Sequence, residues 1–444
     1  MLGSKTPYPP APEGAALEPA PAGFAPAGLQ LVARHGSRGL TKPGPEQRLL
    51  QLCERAAGAG ALSAEGQRLP ALLARFAAAQ QRIGYGNLSA LGVREQQQLA
   101  RRLVARLPAL FAAADAAPEV LLQSSGVDRA VDSARQFAAA LGEAVPRLRV
   151  AAAPTADRFL LYFHRLSAER DGAAADTPAR RETLARSQRY QAWLRSPELA
   201  AQQQRIEADA RRAGAARASL APLFGADFVE QLGAEGRQRA AEDLMDLRGA
   251  AADLRLELGD ATAQAFQDLL PADALAVFAE LADAEDFYRK GPGLAQGGDV
   301  TFAMAGQLLD SLLAGLDGAE PRLRLRFAHA EIVAPLVSRI GIAGVHVQQP
   351  ASTPYSWAGN PWRTAAVIPM AANVQWELWQ GVTGERLVRQ LLNEREADFD
   401  PACEVARWRP GSGFYRVAAL RVCYEKLTAA TAPGLVSAMP AAKR

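Results

Sequence analysis

The 444-residue chain is short of the residues from which several kinds of site are built. Three cysteines, Cys53, Cys403 and Cys423, cannot make a disulfide framework, and their spacing is not that of a metal-ligand set. The four histidines, His35, His164, His329 and His346, are scattered. That argues against a multi-histidine metal centre and leaves imidazole chemistry to one or two named residues. No stretch nears the ~20 apolar residues of a membrane span, because Arg, Glu, Asp or Gln interrupts every Ala/Leu run. The opening MLGSKTPYPPAPEG has neither the basic start nor the apolar stretch of a secretory leader, so the expectation is a cytosolic protein or one whose leader has been removed. There is no Gly-x-Ser-x-Gly, and GPGLAQGG lacks the spacing of a dinucleotide loop.

Lysine is scarce too. Of 50 basic residues five are lysines (Lys5, Lys42, Lys290, Lys426 and Lys443), and the rest are arginines. A GC-rich coding sequence accounts for most of that bias, yet the fork of arginine also suits phosphate. The net charge of +3 hides a segregation, since Asp227 to Asp286 carries fifteen carboxylates against four arginines. The cationic remainder fits an anionic small molecule. Nucleic acid is disfavoured, as no basic run is interleaved with aromatics.

Apolar periodicity divides the chain. Residues 1–27, rich in Pro, Gly and Ala, read as an extended arm. GLQLVAR reads as a strand running into the loop HGSRGLTKPG, and 44–114 as mostly helix. EVLLQSSG (119–126) and PRLRVAAAP (146–154) read as strands around a helix opening at Asp128. Residues 155–320 are nearly continuous helix. PRLRLRFAHAE then alternates like a strand and meets a helix, and β-leaning runs follow, RTAAVIPMAANVQWELWQ, RLVRQLLNE and finally FYRVAALRVCYEKLTAA. The expected fold class is α/β: an α/β domain of 28–154 and 321–444, interrupted by an all-α cap of 155–320.

The most informative element is Arg34-His35-Gly36-Ser37-Arg38, placed where a strand ends, which is where open α/β sheets bind ligands. Two guanidinium groups bracket an imidazole and favour its neutral, nucleophilic form. Gly36 removes a side chain where a ligand's oxygens would approach the backbone.

These residues resemble the RHGxR signature of the histidine acid phosphatases. SSGVDRAVDSARQF (124–137) is similar to that family's second block, in which Arg129 completes the phosphate pocket, although Gly126–Asp128 is less typical. His329-Ala330-Glu331 resembles the proton-donor motif of one branch, the multiple inositol polyphosphate phosphatases, where other branches carry His-Asp. SKTPY (4–8), YFHR (162–165), DFYRKG (286–291) and LLNE (391–394) are weaker echoes of the same branch.

The resemblance implies a histidine-phosphatase-like α/β fold with a cap. It implies removal of phosphates from inositol hexakisphosphate and lower inositol polyphosphates through a phosphohistidine, with no cofactor and no metal. It also favours a periplasmic or secreted protein. Oligomeric state is not legible. The alternative is a broader acid phosphatase, or a phosphoglycerate-mutase-like enzyme acting on 2,3-bisphosphoglycerate or sugar phosphates; the long helical insert favours the phosphatase. In the carried-over roles His35 is the nucleophile, while Arg34, Arg38 and Arg129 hold phosphate oxygens and His329 is a further donor. Glu331 is general acid and then base. Lys42, Arg165 and Lys290 are candidate substrate contacts. His164 and His346 read as packing residues, and the arginines of 180–195 as a solvated helix face. Asn87-Leu88-Ser89 is a formal glycosylation sequon without force in a chain of this composition. Cys403 and Cys423, 20 residues apart near the C-terminal strands, are expected to pair, leaving Cys53 free.

Overall fold

The structure, a computed structural model, describes residues 2–9, 17–112 and 119–431. Residues 10–16 of the expected arm and the last residues 432–444, with Lys443, lie outside the described residues. A single mixed sheet organises the chain in the order β3-β2-β4-β1-β5-β6-β7, with β8 against β6. Its strands are β1 (Phe24–Arg34), β2 (Val120–Ser124), β3 (Thr155–Ala156), β4 (Leu323–Ala328), β5 (Asn373–Gly381), β6 (Arg386–Leu392), β7 (Arg395–Glu396) and β8 (Phe414–Arg416). Pairings among β1 to β4 are parallel and those among β5 to β8 antiparallel, with β1 and β5 joining the halves in antiparallel register.

The run Leu29-Gln30-Leu31-Val32-Ala33 is almost uninterrupted because β1 is covered on both faces. Leu29, Leu31 and Ala33 pack with Leu99 and Leu103 of the helix Ala90–Arg106 and with Phe137 and Leu141 of the helix Asp128–Ala144. Val32 faces the opposite core with Val333 and Leu336 of the helix Ala330–Ile340. Each fully buried leucine contributes about 1.5–3 kcal/mol. Named elements between β3 and β4, residues 158–317, are all helical. A third core joins the helices Pro45–Gly58 and Leu69–Ile83 to residues 220–275 of that segment, so the helical layer draws on both sides of β2.

Three local expectations are corrected. PRLRVAAAP forms no strand; the edge strand β3 follows it, because residues 146–154 pack Leu148 beneath the helix end without a ladder to join. FYRVAALRVCYEKLTAA is β only over Phe414–Arg416 and then becomes the helix Val417–Thr431. The first strand starts at Phe24, inside the expected arm, and Leu2–Pro9 is not a free extension: it makes a turn at Gly3–Lys5 and buries Tyr8. Cys403 and Cys423 form a disulfide with Cα atoms 5.6 Å apart, and Cys53 is a free buried thiol, both as expected.

Candidate active site

Parallel pairing of β1, β4 and β2 brings three chain segments to one edge. Arg34 is in register with Ala328, and Ser124 with Phe327. His35 N donates to Ala328 O at 3.0 Å and Ser125 N to Phe327 O at 3.0 Å. The strand ends therefore deliver His35, His329 and Ser125 side by side, and the rings of His35 and His329 lie 5.5 Å apart, edge to face at 65°. Arg129 arrives from the first turn of the helix Asp128–Ala144, and Glu331 from the first turn of Ala330–Ile340.

His35 is 2% exposed. Its Nδ1 lies 3.0 Å from the Gly36 carbonyl, which only accepts, so Nδ1 carries the hydrogen and Nε2 keeps its lone pair. Burial, then Arg34, Arg38, His329 and Arg129, hold its pKa well below the ordinary value and the ring neutral. Arg34 gives Nη1 to the carbonyls of Ser4 and Ile368, both at 2.5 Å, and Arg38 gives Nη1 to Gly39 O at 2.8 Å. The Nε atoms of Arg34, Arg38 and Arg129 and Nδ1 of His329 are buried with no hydrogen-bond partner among the described residues. His329 Nε2 meets Ser125 Oγ at 2.9 Å, and burial followed by Arg129 pushes the His329 pKa down to about 3.

Glu331 opens onto a cleft of about 550 Å³, a size usual for small-molecule sites, lined also by Tyr162, His164, Arg165, Arg170, Arg195 and Lys290. The carboxylate is reached by solvent through the cleft mouth, its side chain being 37% exposed. Burial raises its pKa, but Lys290, His164, its own backbone N–H and His329 outweigh that and hold it well below the usual carboxylate range. Arg165, Arg170 and Arg195 line the cleft with no carboxylate in ion-pair contact among the described residues, although Arg170 acts electrostatically on Asp171.

The structure redistributes several expectations. Arg165 and Lys290 line the cleft, whereas Lys42 is exposed in the turn before the helix Pro45–Gly58 and is not among the lining residues. His164 is not a satisfied packing residue: its ring lies 4.7 Å from Tyr162 and 6.3 Å from His329, and its Nδ1 is unpartnered. Of the arginines of 180–195, Arg195 lines this cleft, while Arg180 and Arg186 pair with Asp176 and Glu182. Gly36 serves the fold: a Cβ there would meet Gly92 Cα at 2.7 Å, so the loop after His35 rests on the helix backbone where a ligand oxygen was expected.

Sequence reasoning missed Glu95 and Asp253. Glu95 is buried and accepts from Ser37 N at 2.6 Å, Ser37 Oγ at 2.9 Å and Tyr8 N at 2.8 Å, tying SKTPY to the loop that carries His35. Asp253, the last residue of the helix Gly233–Asp253, is fully buried, and burial and the Glu95 charge push its carboxyl well above the usual range. LLNE closes the same network, as Tyr8 donates its hydroxyl to Glu394 at 3.0 Å. No motif in the sequence marked Glu95 or Asp253. Among the described residues no group of three or more His, Cys, Asp or Glu side chains is arranged to hold a metal ion, and no helix is long and apolar enough to cross a membrane.

The profile of the histidine phosphatase superfamily (branch 2) matches residues 27–393. The multiple inositol polyphosphate phosphatase of Bifidobacterium longum, solved in complex with phosphate, superposes with a TM-score of 0.83 at 28% identity, covering 95% of this chain and 97% of that one. Its complex with inositol hexasulfate gives a TM-score of 0.82 at 28% identity and the same coverage. The phytase from D. castellii, 16% identical over 96% of this chain and 85% of its own, shares the fold with a TM-score of 0.65. No curated protein sequence matches.

Proposed function

Since the chain belongs to branch 2 of the histidine phosphatase superfamily, we propose that it removes phosphates from inositol polyphosphates, inositol hexakisphosphate included, through a phosphohistidine and without a metal. The observation that carries this reading is the set of buried, unpartnered guanidinium Nε atoms of Arg34, Arg38 and Arg129 around a neutral His35. The cationic cleft beside it, and the relative's complexes with phosphate and inositol hexasulfate, support a polyphosphorylated ring as substrate.

A phosphate dianion settles among the three arginines and His329 and offsets their charge. Glu331, ionised in the free site, then takes up a proton. His35 Nε2 attacks phosphorus in line; the N–P bond forms as the P–O bond breaks, and Glu331 gives its proton to the departing alkoxide. Glu331, now a carboxylate, takes a proton from water as that water attacks phosphorus. Phosphate leaves and His35 is restored. Positioning and charge neutralisation supply most of the acceleration. In this reading residues 155–320 form a helical cap over the cleft. The Cys403–Cys423 disulfide supports an oxidising compartment, periplasmic or extracellular.

The test is release of phosphate from inositol hexakisphosphate in EDTA, with isomer-resolved products and acid quenching to trap phosphohistidine. Steady release with labelled His35 is expected. Loss of activity on chelation, or turnover without a labelled enzyme, sinks the reading.

A further inference from the structure

Lys290 ends the helix Ala272–Lys290, and its ammonium lies between two carboxylates. Asp286 Oδ1, one turn earlier, is 2.9 Å away, and Glu331 Oε1 is 3.4 Å away. Those contacts occupy two of the three N–H directions of the ammonium, so Lys290 is not a free cation waiting for a substrate phosphate. Among the described residues no side chain other than Lys290 hydrogen-bonds to the Glu331 carboxylate.

We propose that Lys290, braced by Asp286, is a positioning residue for Glu331, holding Oε1 and leaving Oε2 to carry the proton that the leaving oxygen receives. The inference rests on the reading that Glu331 is the proton donor, and it has an electrostatic consequence. Glu331 faces Lys290 and Asp286 from one helix, His164 and Arg165 from the turn Phe163–Arg165, and Tyr190 from the helix Pro178–Trp193. Arg129, Arg34, Arg38 and His329 face it from the phosphate side. Bound phosphate compensates the second group but not Lys290, which Asp286 keeps at Oε1 throughout turnover. An opposite charge at this range lowers a carboxyl pKa by ~1–3 units, so Lys290 makes Glu331 a stronger acid that loses its proton at lower pH.

The pH dependence of kcat on inositol hexakisphosphate tests this. Alkoxide departure needs protonated Glu331, so kcat falls as pH rises through the pKa of Glu331 in the complex. Lys290→Met is expected to move that alkaline limb up by at least ~1 pH unit and to lower the plateau, while Lys290→Arg leaves the limb in place. Asp286→Asn removes a negative charge near Glu331 and is expected to move the limb down, which keeps the inference testable if Lys290→Met does not fold. An unmoved limb in the active variants overturns it. A raised KM with no shift of the limb also overturns it and makes Lys290 a substrate ligand. Wild-type enzyme that releases no phosphate from inositol hexakisphosphate is a separate result, which removes the functional reading and this inference with it.

Discussion

Gly36 and Gly92 meet backbone to backbone, and each excludes a side chain from the other. A Cβ on Gly36 would lie 2.7 Å from Gly92 Cα, and one on Gly92 would lie 2.7 Å from Ser37 N. Gly92 sits in the first turn of the helix Ala90–Arg106, capped by Ser89. The loop that carries His35 is thus seated directly on a helix, three residues from the Glu95 that binds it.

Gly92→Ala separates this contact from helix propensity. Propensity alone favours alanine by about 1 kcal/mol. Overpacking at the contact is expected to outweigh it, for a net loss of about 1–3 kcal/mol. Displacing His35 should cut turnover at least ~10-fold. Denaturant unfolding and initial rates measure both. A variant more stable than wild type and equally active would show that the loop yields without consequence.

Glu331→Gln addresses the proton. Turnover of inositol hexakisphosphate should fall by at least ~100-fold, because an alkoxide does not leave unprotonated. p-Nitrophenyl phosphate departs as a stable phenolate, so phosphoryl transfer to His35 should survive as a burst of about one equivalent per site. Phosphohistidine should then accumulate for want of a base. His35→Ala should give no burst. Steady turnover of both substrates by Glu331→Gln, within a few-fold of wild type, would remove Glu331 from the reaction.

His164 predicts how the free enzyme responds to acid. Burial, the largest influence, with Arg165, Lys290 and Arg129 outweighing the opposing pull of Glu331, pushes its pKa down to about 4. Between the unfolded value near ~6.5 and that folded value, the unfolded chain binds a proton that the folded chain does not, so stability rises with pH. The contribution is complete above ~6.5, is lost as pH falls, and levels off below the folded pKa; it amounts to roughly 3 kcal/mol. Urea midpoints from pH 7 to pH 4 should decline less steeply in His164→Gln than in wild type. Identical slopes would mean that His164 titrates alike in both states.

How much was legible beforehand depends on the kind of residue. Arg34, His35, Arg38, Arg129, His329 and Glu331 stood out because contiguous motifs at strand ends keep their spacing in any fold that brings those ends together. The same holds for the strand from Gly28 to Arg34 and the helix opening at Asp128, where local periodicity and burial agree. Residues 146–154 misled because short alternation satisfies a strand pattern whether or not a neighbouring ladder exists.

The sequence by itself determined the groups at hand: an imidazole, three guanidinium groups and a carboxylate, in an α/β chain with a long helical insert. Tertiary structure decided which groups those residues answer to. Glu95 reaches Ser37 across 58 positions, Lys290 reaches Glu331 across 41, and Ser125 reaches His329 across 204. Such pairs leave no periodic trace in a single sequence, since a charge or hydroxyl on an ordinary helix reads as solvent-facing until packing removes the water. Burial then turns those distant contacts into the field that keeps His35 neutral and Glu331 ionised in the free site.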